Sequence, residues 1–352
     1  MKEKEKRKKE KTRVKLNGRE SRTHPEKMRV VAVRASLVDQ DVLRRTAVNV
    51  TEPTSYHNGA PRTGGPMDVA MGVIDRSAVC RTCGQNAPTC QGHYGYVALP
   101  KPVMHPSHFA VKRALAVLRC VCWECSAVLV TDSNRASVER AQRLPVTRGA
   151  RFAAVFAACS ETKECGACRA QQSRVMRVGK GSWNYSVETA GKRVAVSTER
   201  IYKTLDGIDD DAALALGFDV RFTHPRRLMF TALPIPPPHV RPAISLNASV
   251  VNQDDLTSTI GYIVKRSGLL KRQLLDGAAP VAMHITEQLI AYSVHCLLDG
   301  SDVPAPSTGF NRSASVGKSV KAIRKRIEGK QGLVRQNLMG KIATGQLIAH
   351  SS

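Results

Sequence analysis

The spacing of the cysteines constrains this chain more than any other sequence feature. Nine of the ten cysteines fall within the 89 residues from 80 to 168, and they include three C-x-x-C pairs. A secreted disulfide scaffold would be short and would follow a signal peptide. This chain has 352 residues, and its basic start has no apolar segment behind it. The pattern therefore predicts metal sites in a reducing compartment.

The first candidate metal site has the spacing C-x2-C-x6-C-x2-H. Its ligands are Cys80, Cys83, Cys90 and His93. Zinc takes four thiolate or imidazole ligands in a tetrahedron, and each C-x-x-C turn supplies two thiolates from one short knuckle. Gly84 and Gly92 lie beside the ligands of these knuckles, where we expect the backbone to need a glycine.

The second candidate site has the spacing C-x2-C-x39-C-x2-C. Its ligands are Cys122, Cys125, Cys165 and Cys168. Cys120 and Cys159 could replace one of them, although we expect both to be small buried residues, and Cys296 to lie in a helical core. Four thiolates can also hold an iron–sulfur cluster, but zinc is the more common occupant of paired knuckles. With four protein ligands and no open position, both sites are predicted to be structural rather than hydrolytic.

Charge and hydropathy limit the class of partner. The formal net charge is +25, from 54 Lys and Arg against 29 Asp and Glu, which favours nucleic acid over a membrane. No apolar run approaches the roughly 18 residues of a membrane span, and a 42% hydrophobic composition is sufficient for a folded core.

Signals for catalysis are weak. Gly317-Lys318-Ser319 resembles the end of a phosphate-binding loop, but Arg312 stands where that motif needs its first glycine. Asp206 and Asp209 to Asp211 could hold Mg²⁺ together, but we interpret them as the exposed start of a helix. No catalytic residue is therefore assigned.

Hydrophobic periodicity predicts an α+β chain. Residues 254–275 and 284–298 form an antiparallel helical hairpin in this interpretation, and 108–119 form a helix. The remaining predicted elements are helices in 131–158, strands at 173–178 and 192–197, a helical pair in 199–218 that ends at Gly217, and a strand at the start of 228–242.

Residues 80–109, CRTCGQNAPTCQGHYGYVALPKPVMHPSHF, resemble the first zinc motif of the largest subunit of multisubunit DNA-directed RNA polymerases. Five further blocks resemble the same family in order: GVIDR (72–76), the two halves of a second zinc site (118–130 and 163–168), LPIPPPHVRP (233–242), QDDLT (253–257) and the basic segment 318–341. The resemblance extends over about 28–341.

The resemblance implies a multidomain, zinc-binding clamp without a complete catalytic barrel. Residues 1–27 are charged and low in complexity, so they are predicted to be a disordered basic arm. The resemblance divides the rest into a clamp core and head with two zinc sites (28–243), a lid and coiled-coil hairpin (244–299), and a rudder and DNA-contacting switch region (300–341), followed by a divergent tail (342–352). The family's N-A-D-F-D-G-D loop, which binds the catalytic Mg²⁺, is absent, so Mg²⁺ belongs only to the complete polymerase and this chain alone is predicted to be inactive.

The resemblance also implies partners and a location. The clamp closes over template DNA and the RNA–DNA hybrid, assembles with the second-largest and other subunits, and binds initiation and elongation factors at the hairpin, all in the nucleus. Lys330 and Arg335 match basic family positions that contact DNA phosphate. Lys321, Arg324 and Arg326 extend the predicted DNA-binding set, whereas Glu328 and Ile342 stand where the family has basic residues.

Two questions stay open at the level of sequence. Several blocks resemble polymerase III most, whereas GGPMD and NLMGK are more like polymerase II. After Lys341 the sequence departs from the family, so we expect either a true truncated product or a gene-model fragment. The alternative hypothesis is a free-standing, non-enzymatic zinc-stabilised protein that binds nucleic acid or transcription factors.

Overall fold

The computed structural model describes residues 36–144, 149–178, 184–189, 191–245, 251–300 and 322–339. From Leu37 onward they belong to one compact unit. The predicted arm (1–27), nearly all of the predicted rudder, Lys321, the Gly317-Lys318-Ser319 tripeptide and the divergent tail lie outside the described residues.

The described helices are numbered in chain order. They are α1 (Gln40–Thr46), α2 (His108–Leu118), α3 (Arg135–Gln142), α4 (Ala150–Cys159), α5 (Thr198–Asp206), α6 (Asp210–Ala215), α7 (Val220–Thr223), α8 (Asp255–Leu275), α9 (Pro280–Leu298) and α10 (Ile323–Ile327). Short 3-10 turns occur at Val69–Met71, Pro225–Leu228 and Pro238–Val240, and a π-helical turn at Leu333–Met339. None of these helices has the length and apolar character needed to cross a membrane.

The described strands form four small sheets. They are β1 (Val48–Asn49), β2 (Tyr56–His57), β3 (Ala60–Pro61), β4 (Gly95–Met104), β5 (Arg174–Arg177), β6 (Tyr185–Thr189), β7 (Lys192–Ala195), β8 (Met229–Ile235), β9 (Ile244–Ser245) and β10 (Val251–Asn252). The sheet orders are β1-β4-β8, β5-β6-β7, β2-β3 and β9-β10.

The sheet β1-β4-β8 supports the helical hairpin. β4 runs parallel to β1 and antiparallel to β8, and its register shifts between Ala98 and Val103. Two prolines, Pro100 and Pro102, fall in that interval, where a missing N–H interrupts the ladder. Buried side chains of β8 share one core with the buried faces of α8 and α9.

A second core lies around α2 and α4. Buried residues from both helices, including Val117 and Val155, pack there together with the thiols of Cys122 and Cys165. The sheet β5-β6-β7 joins this core through Tyr185, whose hydroxyl donates to the Val111 carbonyl at 2.8 Å. One of the two predicted metal sites is therefore anchored in a large apolar core by two of its cysteines, while Cys125 and Cys168 are exposed.

Most predicted elements agree with the structure. The α+β class, the helix at 108–119 and the hairpin are confirmed, and no closed barrel is present among the described residues. Helix α9 begins at Pro280, four residues before the predicted start, because proline is well suited to the first helical turn. The short strand β6 was not predicted, since Ser186, Glu188 and Thr189 make it mostly polar.

Candidate metal centres and basic segment

The first predicted group of ligands converges in space. The ligand atoms of Cys80, Cys83, Cys90 and His93 all lie within 4.8 Å of one another. Cys83 Sγ is 3.6 Å from Cys90 Sγ, which lies 3.8 Å from His93 Nε2. A tetrahedron with Zn–S distances of about 2.3 Å places its sulfurs about 3.8 Å apart. The donor set and its spacing therefore fit a zinc ion.

The second predicted group converges in the same way. Its four thiols also lie within 4.8 Å of one another. Cys122 Sγ and Cys168 Sγ are 3.5 Å apart, and Cys125 Sγ and Cys165 Sγ are 3.7 Å apart. These distances are much longer than a disulfide bond of about 2.05 Å, and all four cysteines are free. This group is compatible with a second zinc ion.

Each of the three C-x-x-C knuckles is followed by a backbone turn of the same type. In the first, the Cys80 N–H donates to the Gln85 carbonyl at 2.8 Å and the Gly84 N–H donates back to Cys80. The fourth residue after the first cysteine has a left-handed backbone in every case: Gly84 (φ 69°), Ser126 (φ 59°) and Arg169 (φ 58°). The expected need for glycine holds at Gly84, whereas the second group supports this conformation with ordinary residues.

The first cysteine of each group is prepared for deprotonation. Burial by itself would raise the pKa of Cys122, but the backbone N–H groups of Glu124 and Cys125 and the neighbouring thiols lower it to about 7. Cys80 shows the same balance, and its pKa is also lowered. Burial and the neighbouring thiols raise the pKa of Cys125 to about 12, and the pKa of Cys83 is raised as well. Because the thiolate is the form that binds metal, metal binding must release protons from these cysteines.

The first group is wedged against the segment after β8. The His93 N–H donates to the Met71 carbonyl at 2.8 Å. At Gly92 (φ 83°) a Cβ atom would lie 2.7 Å from Pro237 and 2.8 Å from the His239 ring. The glycine predicted for this position is therefore required both by its backbone angle and by the close approach of Pro237.

The other predicted cysteines and acids lie outside the two groups. Cys120 and Cys159 are fully buried, as expected, and burial raises the pKa of Cys159 to about 11. Cys296 is only half-buried. Asp209 caps α6 by accepting from the Ala212 N–H at 2.6 Å. In the described part of the chain, the Cys/His groups are the only clusters that could hold a metal. Asp209 to Asp211 form the start of α6 as expected, whereas Asp206 is the last residue of α5 and the prediction of a helix start was wrong for it.

We expect two zinc ions per chain. Cys83→Ser should remove one of them, because it deletes a ligand of the first group, whereas Cys120→Ser should leave the stoichiometry at two. Elemental analysis of the purified protein and both variants measures this directly. A single zinc in the unmodified chain, or loss of zinc in Cys120→Ser, would contradict the ligand assignment.

The basic segment (residues 322–339 as described) is attached to the base of the hairpin by two ion pairs. Arg324 pairs with Asp299 just after α9, with Nη1–Oδ1 at 2.6 Å. Arg326 pairs with Asp254, the N-cap of α8, with Nη2–Oδ1 at 2.6 Å. Two of the five predicted DNA-contacting side chains are thus engaged within the protein.

Other cations of the basic segment remain exposed. Lys330 and Arg335 face solvent, as does Lys325. Among the described residues, no acidic side chain forms an ion pair with these three. The segment thus has an inner pair of arginines bound to the hairpin and an outer set of charges available to a ligand.

Sequence reasoning overlooked the role of Arg241. Its side chain is fully buried, and it donates to the carbonyls of Pro236 and Pro66 and to Thr257 Oγ1 of α8. Burial lowers the pKa of Arg241 to about 10. Arg241 lies in the LPIPPPHVRP block, which was recognised from the sequence. Its role was missed because one of its partners, Pro66, lies 175 residues away in the chain.

The chain matches a family model and many curated proteins. The family model described as RNA polymerase Rpb1, domain 1, matches residues 27–338. A curated relative is the DNA-directed RNA polymerase II subunit RPB1 of Euplotoides octocarinatus, which is 28% identical over 336 residues. The aligned region covers 89% of this chain and 67% of that relative.

Proposed function

The chain belongs to the RNA polymerase Rpb1, domain 1, family, the N-terminal region of the largest subunit, and from that premise we propose that it forms the clamp of a DNA-directed RNA polymerase. In this role it holds template DNA and the RNA–DNA hybrid. The observation that carries the proposal is the basic segment at the base of the hairpin, with Lys325, Lys330 and Arg335 exposed and without acidic partners among the described residues.

The two cysteine groups support this role by stiffening the region before the hairpin. Cys80, Cys83, Cys90 and His93 would hold one zinc ion, and the four thiols of the second group another. A zinc ion with four protein ligands supplies cross-linking and no open coordination position. The boundaries implied by the family resemblance, 28–243, 244–299 and 300–341, place both zinc sites before the hairpin.

The tip of the hairpin is the proposed docking site for initiation and elongation factors. Leu275 is 78% exposed and Val281 71% exposed at the end of the two helices. Lys271 and Arg272 are exposed beside them. An apolar surface with a positive border suits a partner that offers apolar and acidic side chains.

Catalysis belongs to the complete enzyme in this proposal. The chain acts with the second-largest and other subunits in the nucleus, and Mg²⁺ chemistry takes place outside these residues. On its own the chain should not polymerise nucleotides, since two-metal phosphoryl transfer needs a cluster of carboxylates. The GHYGY and CVCWECSAVLV blocks support assignment to polymerase III, and co-purification with class-specific subunits tests that assignment.

Replacing Lys330 and Arg335 by alanine should weaken DNA binding equally for all sequences. Contacts to phosphate read no bases, and each one lost should flatten the slope of log K against log salt by roughly 0.9 for duplex DNA. The double variant should therefore flatten the slope by about two units. Fluorescence anisotropy of the 352-residue chain with two unrelated duplexes, at several salt concentrations, measures this.

A matched control removes the same charge elsewhere. Lys192 and Arg193 are exposed on β7, and replacing both by alanine should leave the slope unchanged or nearly so. Equal slopes for the Lys330/Arg335 variant and the unmodified chain would show that these side chains do not touch the DNA backbone.

The alternative is a free-standing zinc protein that binds nucleic acid or factors. It has the same basic segment and the same metal groups but needs no other polymerase subunit. Affinity purification of the tagged chain from its own cells distinguishes the two: recovery of the second-largest subunit supports the clamp, and its absence supports the alternative.

A further inference from the structure

Gln172 lies between the two halves of the second cysteine group. Its side chain is half-buried and follows the Cys165–Cys168 knuckle by four residues. Its Oε1 accepts from the Trp123 N–H of the other knuckle at 3.2 Å. Its Nε2 donates to the Ala170 carbonyl at 2.8 Å and to Cys122 Sγ at 3.2 Å.

The orientation of the Gln172 amide is fixed by its backbone partners. The Trp123 N–H can only donate, so the atom it meets must be the amide oxygen. The Ala170 carbonyl can only accept, so the atom beside it must be the amide nitrogen. The atom that faces Cys122 Sγ is therefore an N–H donor and not an oxygen.

We propose that Gln172 is a positioning residue of the second metal centre, which holds the two knuckles together and donates a hydrogen bond to the Cys122 thiolate. This inference rests on the proposed zinc site of Cys122, Cys125, Cys165 and Cys168. The Glu124 N–H also reaches Cys122 Sγ, at 3.3 Å, so this sulfur receives one donor from its own knuckle and one from across the site. Such partners of metal ligands set ligand orientation and affinity.

Two substitutions at one position separate the two roles. Gln172→Ala removes both the link to Trp123 and the donor to sulfur. Gln172→Glu has the same shape and keeps an acceptor for the Trp123 N–H, but it places a negative oxygen against the thiolate. The neighbouring Gln171 is exposed and its backbone bridges Glu164, so Gln171→Ala and Gln171→Glu are matched controls.

The experiment is a metal titration of the 352-residue chain against a competing chelator, with Zn²⁺ for affinity and Co²⁺ for spectra. A four-thiolate site and a three-thiolate, one-imidazole site have different cobalt d–d bands, so each site is followed separately. Gln172→Ala should weaken the second site by about 10–100-fold and leave the first unchanged. Gln172→Glu should weaken it at least as much. Its thiolate-to-cobalt charge-transfer band should move to lower energy, since the sulfur has lost a donor.

Several outcomes decide the proposal. Second-site affinities of both Gln172 variants equal to those of the Gln171 controls would overturn it. If Gln172→Ala does not fold, the isosteric Gln172→Glu decides alone, and an unshifted charge-transfer band in that variant would overturn the donor role. An unmodified chain that binds metal only at the first group would refute the second zinc site itself, and the role of Gln172 with it.

Discussion

Chelation of zinc will unfold residues 73–93 while β4 and β8 remain folded. The apolar cluster around the first group has only three buried members, Val73, Cys80 and Cys90. A cluster of this size cannot offset the entropy of ordering the loop, whereas a structural zinc ion supplies about 10–16 kcal/mol of apparent binding energy. The fold of this segment is therefore expected to depend on its metal.

Hydrogen exchange with mass spectrometry measures this. Amide exchange in 73–93 should rise by roughly 100-fold or more after chelation, while Gly95–Met104 keeps its protection as an internal control. The second group should respond less, because Cys122 and Cys165 belong to the large core around α2 and α4. Unchanged protection of 73–93 in metal-free protein would mean that local packing alone maintains the knuckles.

Arg241→Ala is expected to lower the free energy of unfolding by about 3–5 kcal/mol, because it leaves buried carbonyls without a donor and creates a cavity. The fully buried guanidinium joins Pro66, Pro236 and Thr257, and so connects the 3-10 turn region, the end of β8 and the first turn of α8. Denaturant unfolding of the zinc-loaded chain, followed by circular dichroism, provides the measurement.

Three further variants test which property of Arg241 causes the expected loss of stability. Arg241→Lys keeps the charge but cannot reach three acceptors in a fixed fork, so it should also be strongly destabilised. Arg241→Met restores volume without charge and should fall between the alanine variant and the unmodified chain. Arg221 is an exposed arginine whose pair with Asp219 is 3.9 Å long, so Arg221→Ala should change stability by no more than about 0.5 kcal/mol. Equal stability of Arg241→Ala and Arg221→Ala would show that the buried contacts of Arg241 contribute nothing.

The convergence of the two Cys/His groups was predictable because each knuckle is a local turn, and four side chains at these spacings can meet around one tetrahedron. The hairpin was predictable because α8 repeats apolar residues at helical spacing. The ion pairs of Arg324 and Arg326 were not, since their partners are 25 and 72 residues away. Gln172 was missed for the same reason: it meets Cys122 across 50 residues, and no local pattern distinguishes it from Gln171.

Helix α10 is attached at the base of the hairpin to the residues that flank α8 and α9, and this has a mechanical consequence. Helix α8 has 21 residues, so at about 1.5 Å per residue the hairpin is about 30 Å long, whereas α10 has five residues and spans under about 10 Å. A partner bound at the tip would therefore act about 30 Å from α10, and the ion pairs of Asp254 and Asp299 are one route by which a movement of the hairpin reaches that helix. Lys330 and Arg335 follow α10 along the chain, so a tilt of the hairpin changes where these two cations stand.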